Sequence, residues 1–163
     1  MTAEFTTTPN LPIDLELVRE VLVQYKTTRA PRLKIRSPED VAEFFRANAP
    51  DNSREHLVAM YLDGNHRMIA YAMISTGTAN TTVAAPREIL QRALLVGAIS
   101  VVLAHNHPSD SLEPSREDKT ITHNVFESAR LMGIQLLDHV IVTNHEALSL
   151  RTEYSEIFRS KGT

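Results

Sequence analysis

From Ala98 to Ala104 the chain is apolar but for Ser100, and it then reads His105-Asn106-His107-Pro108. A run that short and that apolar fits a strand buried on both faces, and such a strand needs helices on either side of its sheet. The helical signals are present. Ser37-Pro38-Glu39 supplies an N-cap, a first-turn proline and an acid beside the helix dipole, ahead of Val41, Phe44 and Phe45. Pro86 opens a second helix that carries Ile89, Leu90, Ala93, Leu94 and Val96 and stops at Gly97. A third helix runs from Ser115 to Met132, ended by Gly133. Strands are predicted at Leu57–Leu62, at Arg67–Thr76 after the turn Asp63-Gly64-Asn65, and at Ile134–Thr143. A short strand and helix close the chain. The order is mixed α/β, a central β-sheet flanked by helices.

Ahead of this core, residues 1–12 are Thr-rich, end at Pro9 and Pro12, and read as a flexible arm. Ile13, Leu15 and Leu17 alternate with acids as in a strand; Val18–Tyr25 either continues it, the favoured reading, or forms a short helix. In Lys26–Arg36, Arg32, Lys34 and Arg36 alternate with Leu33 and Ile35, as in a strand with one basic face at a sheet edge. Residues 13–163 are read as one domain.

Composition narrows the chemistry. With 163 residues, 42% of them hydrophobic and 23% charged, the chain has the balance of a globular domain and enough length for a core. It has no cysteine, so disulfides, thiolate metal sites and cysteine nucleophiles are excluded, and any metal must be held by His, Asp or Glu. The formal net charge of -3 argues against a dedicated nucleic-acid binder. No apolar stretch nears the roughly 18–20 residues of a membrane span, and MTAEFTTTPNLP lacks a signal-peptide core. The expected setting is the cytoplasm, with no membrane partner; the oligomeric state is not legible.

Residues two apart on a strand face the same way, so His105 and His107 converge while Asn106 points to the opposite side. Two imidazoles make half a zinc site, and a catalytic zinc usually takes three protein ligands. Asp118, in the first turn of the third helix, is the candidate third, folded back by the loop Pro108–Pro114.

These residues spell H-x-H-x7-S-x2-D, from His105 and His107 through Ser115 to Asp118, which is the JAMM pattern. With LAHNHPS, PSREDKTIT, GIQLLDHVIV and GTANTTVAAPREILQRALLVGAISVV around it, the chain resembles the RadC-like branch of the JAB/MPN family over residues 37–142. The resemblance implies a cytidine-deaminase-like α/β fold and a zinc metallohydrolase that cleaves a peptide or isopeptide bond with metal-activated water. It implies one zinc on His105, His107 and Asp118, Glu55 as general base and proton donor, and Ser115 as donor to the oxyanion. Its partner would be a protein or peptide substrate, a ubiquitin-like conjugate among them. Two departures stand out. Asp110 occupies the place of a usual glycine, bringing a negative charge near the proposed metal, and the first 36 residues show no counterpart of the helix-hairpin-helix region that precedes many RadC domains.

Each of these residues also has a plainer reading. Ser115 and Asp118 are spaced as a capping box, and Glu55 is also what an exposed acid at a strand start looks like. His56 is expected to face away from Glu55 as a structural residue, and His66 and His145 to be solvated. His123 lies about 140° around the helix from Asp118, too far to share its metal. Of Asp138 and His139, one is a candidate to orient a ligand imidazole, and Asp138 is the residue nominated; the pair also fits a polar strand crossing. Asn106 is taken to brace the loop. HNH nucleases spread their residues over a ββα unit, so that likeness fails. Two competing functions remain: a non-catalytic metal-binding module, and a DNA-repair-associated accessory protein working through Lys26–Arg36.

Overall fold

A computed structural model describes residues 33–49, 51–77 and 85–160. Along the chain run α1 (Pro38–Asn48), β1 (His56–Leu62), β2 (Met68–Thr76), α2 (Ala85–Val96), β3 (Ser100–Asn106), α3 (Arg116–Leu131), β4 (Gln135–Val142), β5 (Ala147–Ser149) and α4 (Leu150–Glu153). A 3-10 turn at Ser155–Phe158 follows. The strands form one sheet in the order β2-β1-β3-β4-β5. Among the described residues only β3 and β4 pair in parallel, and α3 is their crossover. The mixed α/β reading therefore holds.

The central strands explain the unbroken apolar runs. All seven residues of β1 and all seven of β3 are buried, because side chains on both faces meet cover. On one face Leu57, Ala59, Tyr61, Val101 and Leu103 pack with Ile89, Leu90 and Ala93 of α2 and Val125 and Ala129 of α3. On the other, Val58, Met60, Leu62, Val102 and Ala104 pack with Val41, Ala42 and Phe45 of α1.

The helix ends follow the sequence signals. Ser37 accepts from the Asp40 amide while the Asp40 carboxylate accepts from the Ser37 amide, a reciprocal cap at the start of α1. Gly133, at φ 70°, lets α3 turn into β4, with the Ile134 amide reaching back to the Ala129 carbonyl.

Two expectations need correction, and one turn gains detail. The strand predicted to end at Ala104 continues through His105 and Asn106, which pair with β4, His105 also pairing with β1, so the motif begins inside the sheet. The turn after β1 forms where expected; its left-handed residue is His66, at φ 58°, and Asp63 accepts from the amides of Asn65 and Arg67. Of the expected basic edge strand, residues 26–32 lie outside the described residues, as do the arm and the strand expected from Ile13. The described part makes a single bridge, Lys34 with Arg67, and Leu33 and Ile35 pack with the α1 face.

The burial pattern gives a direct stability contrast. Leu103, fully buried in β3, should cost about 2–5 kcal/mol when replaced by Ala. Leu131→Ala, at a side chain 80% exposed, should stay within about 0.5 kcal/mol of wild type in the same denaturant titration.

Candidate metal centre

Three elements meet at the end of β3. His105 is its penultimate residue, His107 lies just beyond it, and Asp118 comes from the first turn of α3. Because α3 begins at the end from which β3 exits, its N-terminus faces the two imidazoles. Its buried stripe is Asp118, Thr122, Val125 and Ala129, polar at the site and apolar toward the core. One donor atom from each of His105, His107 and Asp118 lies within 4.8 Å of the others. His105 Nε2 stands 3.0 Å from His107 Nε2 and 3.3 Å from Asp118 Oδ1, and His107 Nε2 stands 3.3 Å from Asp118 Oδ2. The sequence expected these three to converge, and the fold brings them together.

The donor chemistry suits a cation. The Ser111 carbonyl, 2.8 Å from His107 Nδ1, can only accept, so Nδ1 carries hydrogen and the Nε2 lone pair of the neutral ring points into the cluster. Burial pushes the Asp118 carboxyl up, but the hydrogen bond from Ser115 and those that protonated His105 and His107 would give it outweigh burial and hold the group far below the usual carboxylate range. The hydrogen bond that a protonated His107 would give Asp118 in turn raises His107, against the opposing effect of burial, and the Asp118 charge adds to the rise. A carboxylate that favours its ionised form between two imidazole nitrogens calls for positive charge, and a divalent ion supplies it with the right ligand types.

Asp118 also serves the helix. Its Oδ2 accepts from the Ser115 amide at 2.8 Å and from the Ser115 hydroxyl at 2.6 Å, while Ser115 Oγ accepts from the Asp118 amide at 3.0 Å. The capping-box reading of Ser115 and Asp118 is thus correct, and it places the Ser115 hydroxyl against a ligand oxygen. The box fixes the Asp118 rotamer before any ion arrives.

Glu55 immediately precedes β1, half-buried beside the cluster. Burial raises its carboxyl above the ordinary range, and the Asp118 charge adds to the rise while His105 and His107 oppose it. Asn106 sets its position. The Asn106 side chain accepts from the His56 amide at 2.9 Å and donates to the Arg54 carbonyl at 3.0 Å, gripping the backbone on both sides of Glu55. The Gly77 amide holds the Glu55 carbonyl at 2.9 Å. Asn106 therefore braces the segment that leads into β1 and carries Glu55, from the face of β3 opposite the two histidines.

The remaining polar residues sort by contact. The Asp138 carboxylate turns to the Ser149 hydroxyl and the amides of His139 and Arg151, so the ring against a ligand imidazole belongs to its neighbour. His139 Nε2 lies 2.8 Å from His105 Nδ1. The nomination of Asp138 is corrected accordingly, because the register that aligns His139 with Leu103 puts position 139 on the face of His105. Asp110 takes the left-handed backbone expected of the glycine it replaces, at φ 57°, and its carboxylate accepts from the Asn144 amide. His56 is buried and meets Thr76, His66 and His145 are exposed, and His123 meets the Ile157 carbonyl, all as expected.

An α/β sheet with a His-His-Asp cluster where a central strand meets a helix N-terminus defines a candidate metal-dependent domain. A family profile described as RadC-like JAB domain matches residues 35–155. Similar proteins include a UPF0758 protein of Methanococcoides burtonii, 40% identical over 126 residues, covering 77% of this chain and 55% of that protein. A UPF0758 protein of Bacillus mycoides is 37% identical over 133 residues, covering 82% and 57%. The chain belongs to the RadC-like JAB family. It spans about half the length of the curated relatives it matches. No helix among the described residues is long and apolar enough to cross a membrane.

The Asn106 grip can be checked by itself. Asn106→Ala leaves the His56 amide and Arg54 carbonyl without their partner and should cost about 1–3 kcal/mol in urea unfolding. Uptake of a divalent ion should persist, since the side chain lies on the far face. Wild-type stability in the variant would contradict the assignment.

Proposed function

We propose that this chain is a zinc-dependent hydrolase of amide bonds, peptide or isopeptide. The observation that supports this most is the convergence of His105, His107 and Asp118 beside a half-buried Glu55. His105, His107 and Asp118 would hold the ion, a three-residue ligand set of the kind a catalytic zinc takes. The chemistry a bound zinc supplies there is that of a Lewis acid, which acidifies water and polarises a carbonyl.

The chain's own residues do the rest. Glu55, with a carboxyl raised toward the range useful for proton transfer, takes a proton from the attacking water and returns it to the leaving nitrogen. Its fixed backbone keeps that carboxyl at the rim of the site through both transfers. The Ser115 hydroxyl donates a hydrogen bond to Asp118 in this structure; once that oxygen is otherwise engaged, the same hydroxyl is the donor for the negative charge that builds on the substrate oxygen. Asp118 stays ionised throughout. The substrate is a protein or peptide, with ubiquitin-like conjugates a class to include, and the setting is the cytoplasm.

The test is turnover by the zinc-loaded protein on a panel of peptides and isopeptide-linked conjugates. Cleavage should stop with a chelator and return with zinc. Glu55→Gln should keep its zinc and lose about 10²–10⁴-fold in rate. Full zinc loading with no turnover of any panel member would favour a binding module instead. Cleavage that survives both the chelator and Glu55→Gln would remove the mechanism.

A further inference from the structure

His105 Nδ1 faces neither water nor a carbonyl. It meets a second buried histidine, His139, whose ring nitrogens both have a partner: Nε2 with His105 Nδ1 at 2.8 Å, and Nδ1 with Thr122 Oγ1 at 2.6 Å. His105, His139 and Thr122 are all buried, His139 and Thr122 completely. Neither partner of His139 is a carboxylate, so a protonated ring would bury an uncompensated charge, and the neutral ring is the stable one. A neutral imidazole donates from one nitrogen and accepts at the other. The question is which.

Thr122 answers it. Its hydroxyl oxygen stands 2.5 Å from the Asp118 backbone carbonyl, one helical turn back. Two oxygens that close must share a hydrogen, and only the hydroxyl has one to give. With that proton committed, Thr122 Oγ1 can only accept from His139, so His139 Nδ1 is the N–H. His139 Nε2 is then the acceptor, and His105 Nδ1 must donate to it. What remains on neutral His105 is the Nε2 lone pair, aimed at His107 Nε2 and Asp118 Oδ1.

We propose that His139 and Thr122 form a one-way hydrogen-bond relay that sets the tautomer of His105, making its Nε2 a ready metal ligand. The relay begins at the backbone carbonyl of Asp118 and ends at His105, so it also ties the helix bearing one ligand to the strand bearing another. His139 is a positioning residue: it touches neither ion nor substrate and acts through His105. His107 reaches the same state by a shorter route, through the Ser111 carbonyl. The consequence for binding rests on the metal-centre reading, whereas the direction of the protons does not.

The experiment has two arms on the full chain. In the first, nitrogen-15 NMR of the imidazoles is recorded on zinc-loaded protein and on metal-free protein near pH 9, above the ordinary histidine range. The expected result is hydrogen on Nδ1 of both His105 and His139, with a nitrogen–nitrogen coupling across the bond from His105 Nδ1 to His139 Nε2. Hydrogen on His139 Nε2 would overturn the proposal.

In the second arm, zinc affinity is measured by competition with a chromophoric chelator. His139→Leu should weaken zinc about 10–100-fold, as removal of an outer hydrogen-bond partner does elsewhere. His139→Gln, whose amide can accept from His105 and donate to Thr122, should recover most of the loss. Equal losses in the two variants, or no loss in His139→Leu, would overturn the relay. If His139→Leu does not fold, Thr122→Val removes only the hydroxyl at similar volume; a folded Thr122→Val with wild-type affinity would overturn it as well. A wild type that takes up no zinc would instead refute the metal reading, leaving the NMR arm to decide the proton direction.

Discussion

The end of β3 is where burial and charge meet. β3 is buried on both faces and paired on both sides, so its backbone has almost no freedom at the point where His105 emerges. The parallel pairing with β4 demands a crossover, and α3 supplies it, starting beside the end of β3 and returning to the start of β4. One constraint thus delivers the two histidines, the acidic N-terminus of α3 and, through register with β4, His139. The core is the support that keeps two imidazoles and a carboxylate within a few ångströms of each other, a cluster that desolvation would otherwise oppose.

Much of this was legible in the sequence because the local signals agreed. The apolar runs at 57–62 and 98–104, the caps at Ser37 and Ser115 and the stops at Gly97 and Gly133 each name an element by a mechanism, and those elements formed. The pairing of His105 with His107 was legible from period two along a strand, and Asp118 as their partner from the resemblance to the JAMM pattern. Membership in the RadC-like JAB family, now shown, had been visible in the same stretch.

What was hidden depends on register and on contacts far apart in sequence. Asp138 and His139 are adjacent polar residues in an apolar strand, and only the alignment of His139 with Leu103 tells which one faces His105. Asn106 could be assigned to the face away from the histidines, but not to the backbone of Arg54 and His56, which lie some fifty positions away. Asp110 looked like an added charge near the metal; its side chain instead caps the Asn144 amide, a partner brought by the loop after β4. Each case is a long-range hydrogen bond, and periodicity carries no information about those.

The central claim is that this cluster is a metal centre, and elemental analysis tests it most directly. Wild-type protein purified without chelator, beside His107→Ala, would be analysed by mass spectrometry for bound metal with folding confirmed by circular dichroism. The account predicts about one zinc per chain in the wild type and almost none in the folded variant. A folded wild type that stays metal-free after dialysis against zinc would contradict it.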